Sequence, residues 1–257
     1  MSLLAVVYHL VPEAPVLVAC NRDESYSVTC PTPSIQSGKP RVLASIDPQS
    51  GGTNLGLNQN GLFAGMVRRK KPGVSPSSRS CSQLCREMLR CGSAREAIDL
   101  ALEELHTGQY EGANLVVADS ECGWVIHHGR ETEVVELQPG LNIIGDRDVD
   151  DPNDARAELA RRLLTLQTLD SPVKFLAVAS KVFARSPLAE GRPSMVVRNR
   201  GFGTVSSTLI SLGQKPRDAI YQYSNGSPDE AKFEDYSPLL RDILSRGLRE
   251  ARPKVKS

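Results

Sequence analysis

The sequence predicts an α+β protein in which antiparallel sheets and helices are stacked in layers. Groups of short β-patterned segments alternate with pairs of helical segments, whereas a parallel βαβ series would alternate single elements. The 257-residue chain is 40% hydrophobic, carries a net charge of +1 and shows no shift in composition that would mark a linker. We therefore expect one domain over residues 1–249, followed by a basic, disordered tail over 250–257.

Residues 1–70 have mostly strand patterning. Segments 3–10 and 15–21 are rich in apolar and β-branched residues and flank a Pro-Glu-Ala-Pro turn, which predicts an N-terminal hairpin. Three more strands are expected over 42–46, 53–57 and 62–67, and an Asn-Gly turn separates the last two.

The remaining chain alternates between helical and strand patterning. One helix pair is expected over 80–89 and 93–106, where Ser93 and Glu96 form a capping box. A second pair is expected over 154–169 and 173–184, with Ser171 as cap and Pro172 at the first helical position. Further strands are expected over 113–119, 124–128, 132–137, 141–145, 194–197, 203–212 and 219–223, and a last helix over 237–249.

The composition argues against several classes of protein. With 31 basic and 30 acidic side chains there is no field to hold a polyanion, so no nucleic-acid partner is expected. The longest apolar run is far shorter than the about 20 residues of a membrane helix, and the N-terminus lacks the basic start of a signal peptide. We therefore expect a cytoplasmic protein with no membrane span and a small-molecule substrate or ligand; the oligomeric state stays open.

Six cysteines without a CxxC pair predict reduced thiols, and we expect neither a metal nor a cofactor. His127 and His128 are adjacent on a predicted strand, so their side chains should point to opposite faces and cannot share a metal. Trp124 on the same strand is expected in the core.

Four consecutive polar residues, Asn21-Arg22-Asp23-Glu24, follow directly after the apolar segment 16–20. The common hydrolase and nucleotide signatures GxSxG, HExxH, GxxxxGK[ST] and GxGxxG are absent. A strand that leaves the core in this cluster would place an amide, a guanidinium and two carboxylates at one sheet edge. The alternative is a strand end with a solvated, salt-bridged turn, which composition alone favours.

Ser2 stands at the start of the predicted hairpin. Its small side chain allows removal of Met1, which would leave Ser2 as the N-terminal residue. An N-terminal serine can act as a nucleophile with its own α-amine as the base, because that amine has a pKa of about 8. Pairing around a turn near residues 12–13 brings residue 2 opposite approximately residue 23. Many cytosolic chains also begin with Met-Ser for no catalytic reason.

These motifs resemble those of a known family in both content and order. The matching segments are Met1-Ser2-Leu3-Leu4-Ala5-Val6, Ala19-Cys20-Asn21-Arg22-Asp23-Glu24, Gly51-Gly52-Thr53-Asn54-Leu55-Gly56, Gly61-Leu62-Phe63-Ala64, Ala113-Asn114-Leu115-Val116-Val117-Ala118-Asp119, Pro139-Gly140-Leu141 and Gly203-Thr204-Val205-Ser206-Ser207-Thr208. Over about residues 1–212 the chain resembles the NRDE family, also called the transport and Golgi organisation protein 2 family. The resemblance implies the four-layer αββα sandwich of N-terminal nucleophile hydrolases, with two antiparallel sheets between helices.

The resemblance also implies a set of site residues. Ser2 would be nucleophile and base, Arg22 and Asp23 would orient it, and Asn114 would be a candidate donor to the oxyanion. The substrate-binding candidates are Asn21, Glu24, Arg68 and Asp146.

The chain departs from the family pattern at four positions that are expected near the pocket. Ser2 replaces the usual cysteine, and Val67-Arg68 stands where the family has Thr-Asn. Gly145-Asp146 replaces Ser-Asn, and Val205 replaces an arginine.

Two functions follow from these observations. The first is hydrolysis of a non-peptide C–N amide bond by Ser2 after removal of Met1, which the retained Arg22 and Asp23 favour. The alternative is a non-catalytic binding or trafficking protein for a small apolar ligand, an acyl lipid or haem, which the family's links to secretion and Golgi organisation imply. The altered Ser2, Arg68, Asp146 and Val205 favour this alternative.

Overall fold

Two seven-stranded antiparallel sheets form the centre of the molecule within the described residues, 2–75, 77–187 and 192–251, of the computed structural model. The strands of the first sheet are β1 (Leu3–Val11), β2 (Ala14–Ser25), β10 (Gly140–Ile144), β11 (Arg198–Asn199), β12 (Phe202–Leu212), β13 (Ile220–Asn225) and β14 (Glu234–Asp235). Their order is β10-β1-β2-β12-β13-β14, with β11 paired to β12. The N-terminal hairpin therefore lies inside this sheet, where both of its strands have neighbours.

The second sheet is a meander in which strands pair in chain order. Its strands are β3 (Ser34–Gln36), β4 (Val42–Ala44), β5 (Leu55–Asn58), β6 (Phe63–Arg68), β7 (Ala113–Ala118), β8 (Gly123–His128) and β9 (Thr132–Glu136). Each pairs antiparallel with the next, since short connections join most of them.

Helices cover the sheets and are capped largely as the sequence predicts. They are α1 (Cys81–Met88), α2 (Ala94–His106), α3 (Ala155–Leu164), α4 (Pro172–Phe183) and α5 (Ser237–Ala251), with a short 3₁₀ helix at Pro216–Asp218. The predicted caps are confirmed: the Ser93 side chain accepts from the Glu96 N–H, and Ser171 accepts from the Lys174 N–H. The Glu96 carboxylate reaches back to the Gly92 N–H at 2.6 Å instead of the Ser93 N–H.

Three apolar clusters separate the layers and confirm the predicted αββα sandwich. Along β1, Leu4 and Val6 face the second sheet, whereas Leu3 and Ala5 face α3 and α4. This alternation follows from the two-residue period of a strand, and it explains why β1 is apolar without a break. Helices α1 and α2 cover the other sheet, and α5 closes the space between the sheets with Leu240 among its buried residues.

Several predicted element boundaries are wrong. Residues 194–197 form no strand, because the Val196 N–H bonds the Arg185 carbonyl and the Val197 N–H bonds the Thr204 hydroxyl. Helix α3 ends at Leu164, five residues early, and Leu166 is 72% exposed, so the apolar spacing there does not mark a buried face.

The last helix extends two residues further than predicted. Glu250 and Ala251 belong to α5, and the Glu250 carboxylate pairs with Arg41 at 2.8 Å. The rest of the predicted tail, 252–257, lies outside the described residues. Among the helices that are described, none has the length and apolar character needed to cross a bilayer.

Candidate active site

The polar cluster Asn21-Arg22-Asp23-Glu24 lies within strand β2, not after it. β12 pairs with this part of β2, matching Ser206 to Arg22 and Gly203 to Glu24, so the strand stays hydrogen-bonded as far as Ser25. Asn21, Asp23 and Glu24 are buried. The alternative of a solvated turn is therefore wrong, because β12 keeps this part of β2 paired and buried. Residues 22–25 lie beyond the last pair between β1 and β2, at one end of the sheet.

Ser2 meets this cluster as the hairpin register predicts. β1 and β2 pair Leu3 with Asn21, which sets Ser2 beside Arg22 and Asp23. The Asp23 backbone N–H donates to Ser2 Oγ at 3.0 Å. The sheet thus fixes the hydroxyl at the end of β1 through a backbone contact.

Consecutive side chains of the cluster point to opposite faces of the sheet. The Asn21 amide donates to the carbonyls of Phe183 and Met195, at 2.9 and 2.8 Å, on the helical side. Cys20 and Arg22 line a cavity between the sheets together with Ser2. Asn21 therefore anchors the strand, and Arg22 faces the space beside the hydroxyl.

The Asp23 carboxylate is fully buried and held by two groups that sequence reasoning missed. Arg156, in the first turn of α3, contacts Oδ2 at 2.6 Å, and the Thr204 hydroxyl donates to Oδ1 at 2.7 Å. The Thr204 hydroxyl also accepts from the Val197 N–H at 2.9 Å, so it both donates and accepts a hydrogen bond. The ion pair and the hydrogen bonds compensate the cost of burying this charge.

The cavity between the sheets has a volume of about 20 Å³, which is room for one water. Thr53 and Asn54 line it from the second sheet. Cys20 also lines it, but burial raises the pKa of the Cys20 thiol to about 12. The Cys20 thiol therefore stays protonated near pH 7.

Glu24 links the two sheets at the same end of the molecule. Its carboxylate lies 4.0 Å from Arg22 and 3.5 Å from Arg68, the last residue of β6 in the second sheet. The Arg68 side chain is 60% exposed, whereas Glu24 and Arg22 are about nine-tenths buried. The three charges form a chain from the cavity to solvent, and the predicted Arg68 lies beside the cluster.

Asn114 is also buried and stands in a dense polar network. Its amide nitrogen donates to the carbonyls of Gly145, at 2.8 Å, and Arg147. Its oxygen accepts from Arg69 at 3.1 Å and from His127 Nδ1 at 2.9 Å. Both amide hydrogens are therefore already used in holding the loop that follows β10.

His127 completes this network. Its Nε2 accepts from the Val149 N–H at 3.3 Å, which leaves Nδ1 to carry the proton that it donates to Asn114. Burial lowers the pKa of His127, which favours this neutral form. His128 instead contacts Lys71 and Thr132, so the two adjacent histidines point to opposite faces as predicted.

Asp146 lies in the same loop. β10 pairs Ile144 with Leu4, so Asp146, two residues further on, stands near the Ser2 end of β1 and is half-buried. The structure therefore brings every predicted site residue to one end of the sandwich. Of the residues missed, Thr204 had a signal in the Gly203-Thr204 motif, whereas Arg156 and His127 had none.

A model of the family described as "Transport and Golgi organisation 2" matches residues 1–223 of the chain. The chain belongs to this family. The match runs from β1 into β13, and so includes every residue named above as part of the site. The comparison with curated proteins gives no match for this transport and Golgi organisation 2 family member.

Solved structures show the same architecture. An N-acylethanolamine-hydrolyzing acid amidase ortholog from Caenorhabditis elegans is 14% identical, with a TM-score of 0.53 over 81% of this chain and 92% of that chain. A mutant of conjugated bile acid hydrolase from Clostridium perfringens is 11% identical, with a TM-score of 0.50 over 93% of each chain. The family member thus has the N-terminal nucleophile hydrolase fold that the resemblance predicts.

Proposed function

We propose that this protein hydrolyses a non-peptide C–N amide bond, with Ser2 as the nucleophile once Met1 is removed. The observation that carries the proposal is the position of Ser2 Oγ. It lies 3.0 Å from the Asp23 N–H, at the edge of a cavity that Arg22 also lines. Both structural neighbours are hydrolases by name, and one is named for cleaving N-acylethanolamines, which are N-acyl amides.

The reaction would proceed through an acyl-enzyme. The Ser2 α-amine, with a pKa near 8 as a free terminus, would take the hydroxyl proton while Oγ attacks the amide carbonyl. The same amine would then protonate the leaving nitrogen as the C–N bond breaks. Water would hydrolyse the resulting ester, releasing a carboxylic acid and restoring the hydroxyl.

Arg22 and Asp23 would orient the nucleophile in this scheme. The Asp23 carboxylate is fixed from the helical side by Arg156 and Thr204, so the backbone N–H that contacts Ser2 is held in place. Arg22 supplies a positive charge in the cavity beside the developing oxyanion. Because the cavity has a volume of only about 20 Å³, substrate entry requires outward movement of the side chains that line it.

The substrate-binding roles follow from the same geometry. Glu24 and Arg68 would contact the part of the substrate nearest solvent, and Asp146 would approach it from the loop after β10. Asn21 would act indirectly by fixing the strand on its helical side. Asn114 would donate to the oxyanion only if the substrate displaced the Gly145 or Arg147 carbonyl from its amide.

The hydrogen bonds of the Asn114 amide favour a second function, which is binding of a small apolar ligand such as an acyl lipid or haem without catalysis. An amide whose two hydrogens are already bonded offers no ready donor to an oxyanion. A binding protein would show ligand-dependent thermal stabilisation by acyl compounds or haem, and this stabilisation would survive the Ser2→Ala substitution.

The test of catalysis begins with the intact mass of natively expressed protein, because a retained Met1 rules out the N-terminal mechanism. A panel of N-acyl amides should then be turned over by the wild type and not by Ser2→Ala. Ser2→Cys should retain activity, since a thiol can replace the hydroxyl. Ser34→Ala, an exposed serine on β3, is the matched control and should behave as wild type. Equal turnover by the wild type and Ser2→Ala would reject the role of Ser2.

A further inference from the structure

Three arginine side chains line one hollow on the outer, helical side of the first sheet. The hollow has a volume of about 470 Å³ and lies between α3, the end of α4 and the segment before β11. Arg162 belongs to α3, Arg185 follows α4 and Arg192 precedes β11. The hollow shares no lining residue with the cavity beside Ser2, so it is a separate feature of the surface.

The positive charge of this hollow is poorly compensated. Among the described residues that line it, Glu158 is the one acidic side chain. Over residues 2–75, 77–187 and 192–251, no carboxylate forms an ion pair with Arg162, Arg185 or Arg192. Like charges brought together in one concave surface repel one another, and a bound anion would relieve that repulsion.

Exposed arginines elsewhere on the described surface include paired ones and also single ones such as Arg130, which forms no ion pair among the described residues. Arg79 lies 2.8 Å from Glu104, and Arg246 lies 2.9 Å from Asp242. The hollow differs because three arginines without an ion pair among the described residues line the same concave surface.

The floor of the hollow is apolar. Leu159 and Pro193 present apolar surface to it, and Leu163 and Met195, which also line it, are buried at 8% and 0% exposure. A hollow with basic groups and an apolar floor suits a ligand that has an anionic head and an apolar body. Its volume falls within the range of about 300–1,000 Å³ that is usual for small-molecule sites.

The floor is also rigidly attached to the sheet. The Met195 carbonyl accepts from the Asn21 amide at 2.8 Å and from Arg156 at 2.6 Å. The Val196 N–H bonds the Arg185 carbonyl at 3.0 Å, which ties the segment before β11 to the end of α4. A ligand would therefore meet a largely preformed surface, which lowers the entropy cost of binding.

We propose that this hollow binds a phosphate monoester with an apolar body. A phosphate monoester carries a charge of about −1.5 to −2 at pH 7 and three terminal oxygens, and guanidinium groups bond such oxygens in a fixed fork geometry. A carboxylate has one charge and two oxygens, so it compensates three guanidinium groups less completely. The apolar body would cover Leu159 and Pro193.

Isothermal titration calorimetry on the full chain tests the proposal with three probes: decyl phosphate below its micellar concentration, decanoate and inorganic phosphate. Decyl phosphate should bind about tenfold more tightly than either of the others, because only it has both the charge and the apolar body. Arg162→Gln, Arg185→Gln and Arg192→Gln should each weaken it about tenfold through loss of one charge-assisted contact. Arg130→Gln, an exposed arginine in the β8–β9 turn, is the matched control and should leave the affinity unchanged.

Three results would overturn the proposal. One is that decyl phosphate fails to bind to the wild type. Another is that Arg130→Gln lowers the affinity for decyl phosphate as much as the substitutions in the hollow do, which would indicate a general charge effect. Equal affinities for decanoate and decyl phosphate, or for inorganic phosphate and decyl phosphate, would contradict the stated ligand class. Circular dichroism of each variant separates loss of binding from loss of folding.

Discussion

Replacing Thr204 with valine tests the arrangement that holds Asp23. Valine has nearly the shape of threonine but lacks the hydroxyl, which donates to Asp23 Oδ1 at 2.7 Å and accepts from the Val197 N–H at 2.9 Å. Thr204 is 4% exposed, so water cannot readily replace either partner. The substitution therefore removes two hydrogen bonds with little change in packing.

The expected cost follows from the two partners left behind. Loss of a hydrogen bond to a charged group costs about 1.5–3 kcal/mol, and a donor left without an acceptor costs about 1–3 kcal/mol. Burial of the added methyl group returns about 1 kcal/mol. We expect Thr204→Val to lower the free energy of unfolding by about 3 kcal/mol, a large part of the about 5–15 kcal/mol typical of a folded protein.

Urea denaturation followed by the fluorescence of Trp124, the chain's one tryptophan, measures this difference. Trp124 is buried under α1 and α2, on the other sheet, so its signal reports global unfolding. Thr204→Ser is the control, because it keeps the hydroxyl and should lose only about 1 kcal/mol with the methyl group. A Thr204→Val variant as stable as the wild type, or one no less stable than Thr204→Ser, would refute the assigned hydrogen bonds.

Two further predictions concern other parts of the fold. Gly247→Ala in α5 should lower the free energy of unfolding by about 1–3 kcal/mol, because the added Cβ would lie 2.0 Å from the Gln59 carbonyl oxygen. The control Ser245→Ala, in the same helix, should stay within about 0.5 kcal/mol of the wild type in urea denaturation. A Gly247→Ala variant more stable than the wild type would contradict the packing. Burial, and then the Lys71 charge, lower the pKa of His128 from 6.5 to about 4, which corresponds to about 3 kcal/mol. Because the folded state favours the neutral ring, the free energy of unfolding should be highest above pH 6.5 and fall as the pH drops toward 4, by less in His128→Gln than in the wild type. Urea titrations at pH 7 and pH 4 measure this fall, and an equal fall in the two proteins would contradict the prediction.

The sequence determined the layered architecture and most of its elements. The two-residue alternation in β1 and the capping residues Ser93 and Ser171 are local signals, because they depend on neighbours along the chain. Helix and strand ends were less well predicted, as in α3, since exposed apolar residues such as Leu166 extend the apparent pattern past the last buried turn.

The composition of the cluster at residues 21–24 favoured a surface turn, but in the tertiary structure these residues are a paired and largely buried part of β2. β12, about 180 residues later in the chain, supplies the second hydrogen-bonded neighbour of β2, so charged residues continue inside a central strand. Arg156 and Thr204, which belong to other elements, compensate the cost of burying the Asp23 charge through an ion pair and a hydrogen bond. No local pattern marks such partners, since they are far apart in sequence.

By itself the sequence therefore placed the candidate residues Ser2, Arg22 and Asp23 together on one hairpin, because hairpin register depends only on the turn and the strand lengths. Only the tertiary structure decided which of their neighbours hold them, that the Asn114 amide hydrogens are already bonded, and that three arginines from separate segments share one hollow. The physical reason is that hydrogen bonding and charge compensation in the interior depend on distances in space, which the order of residues does not specify.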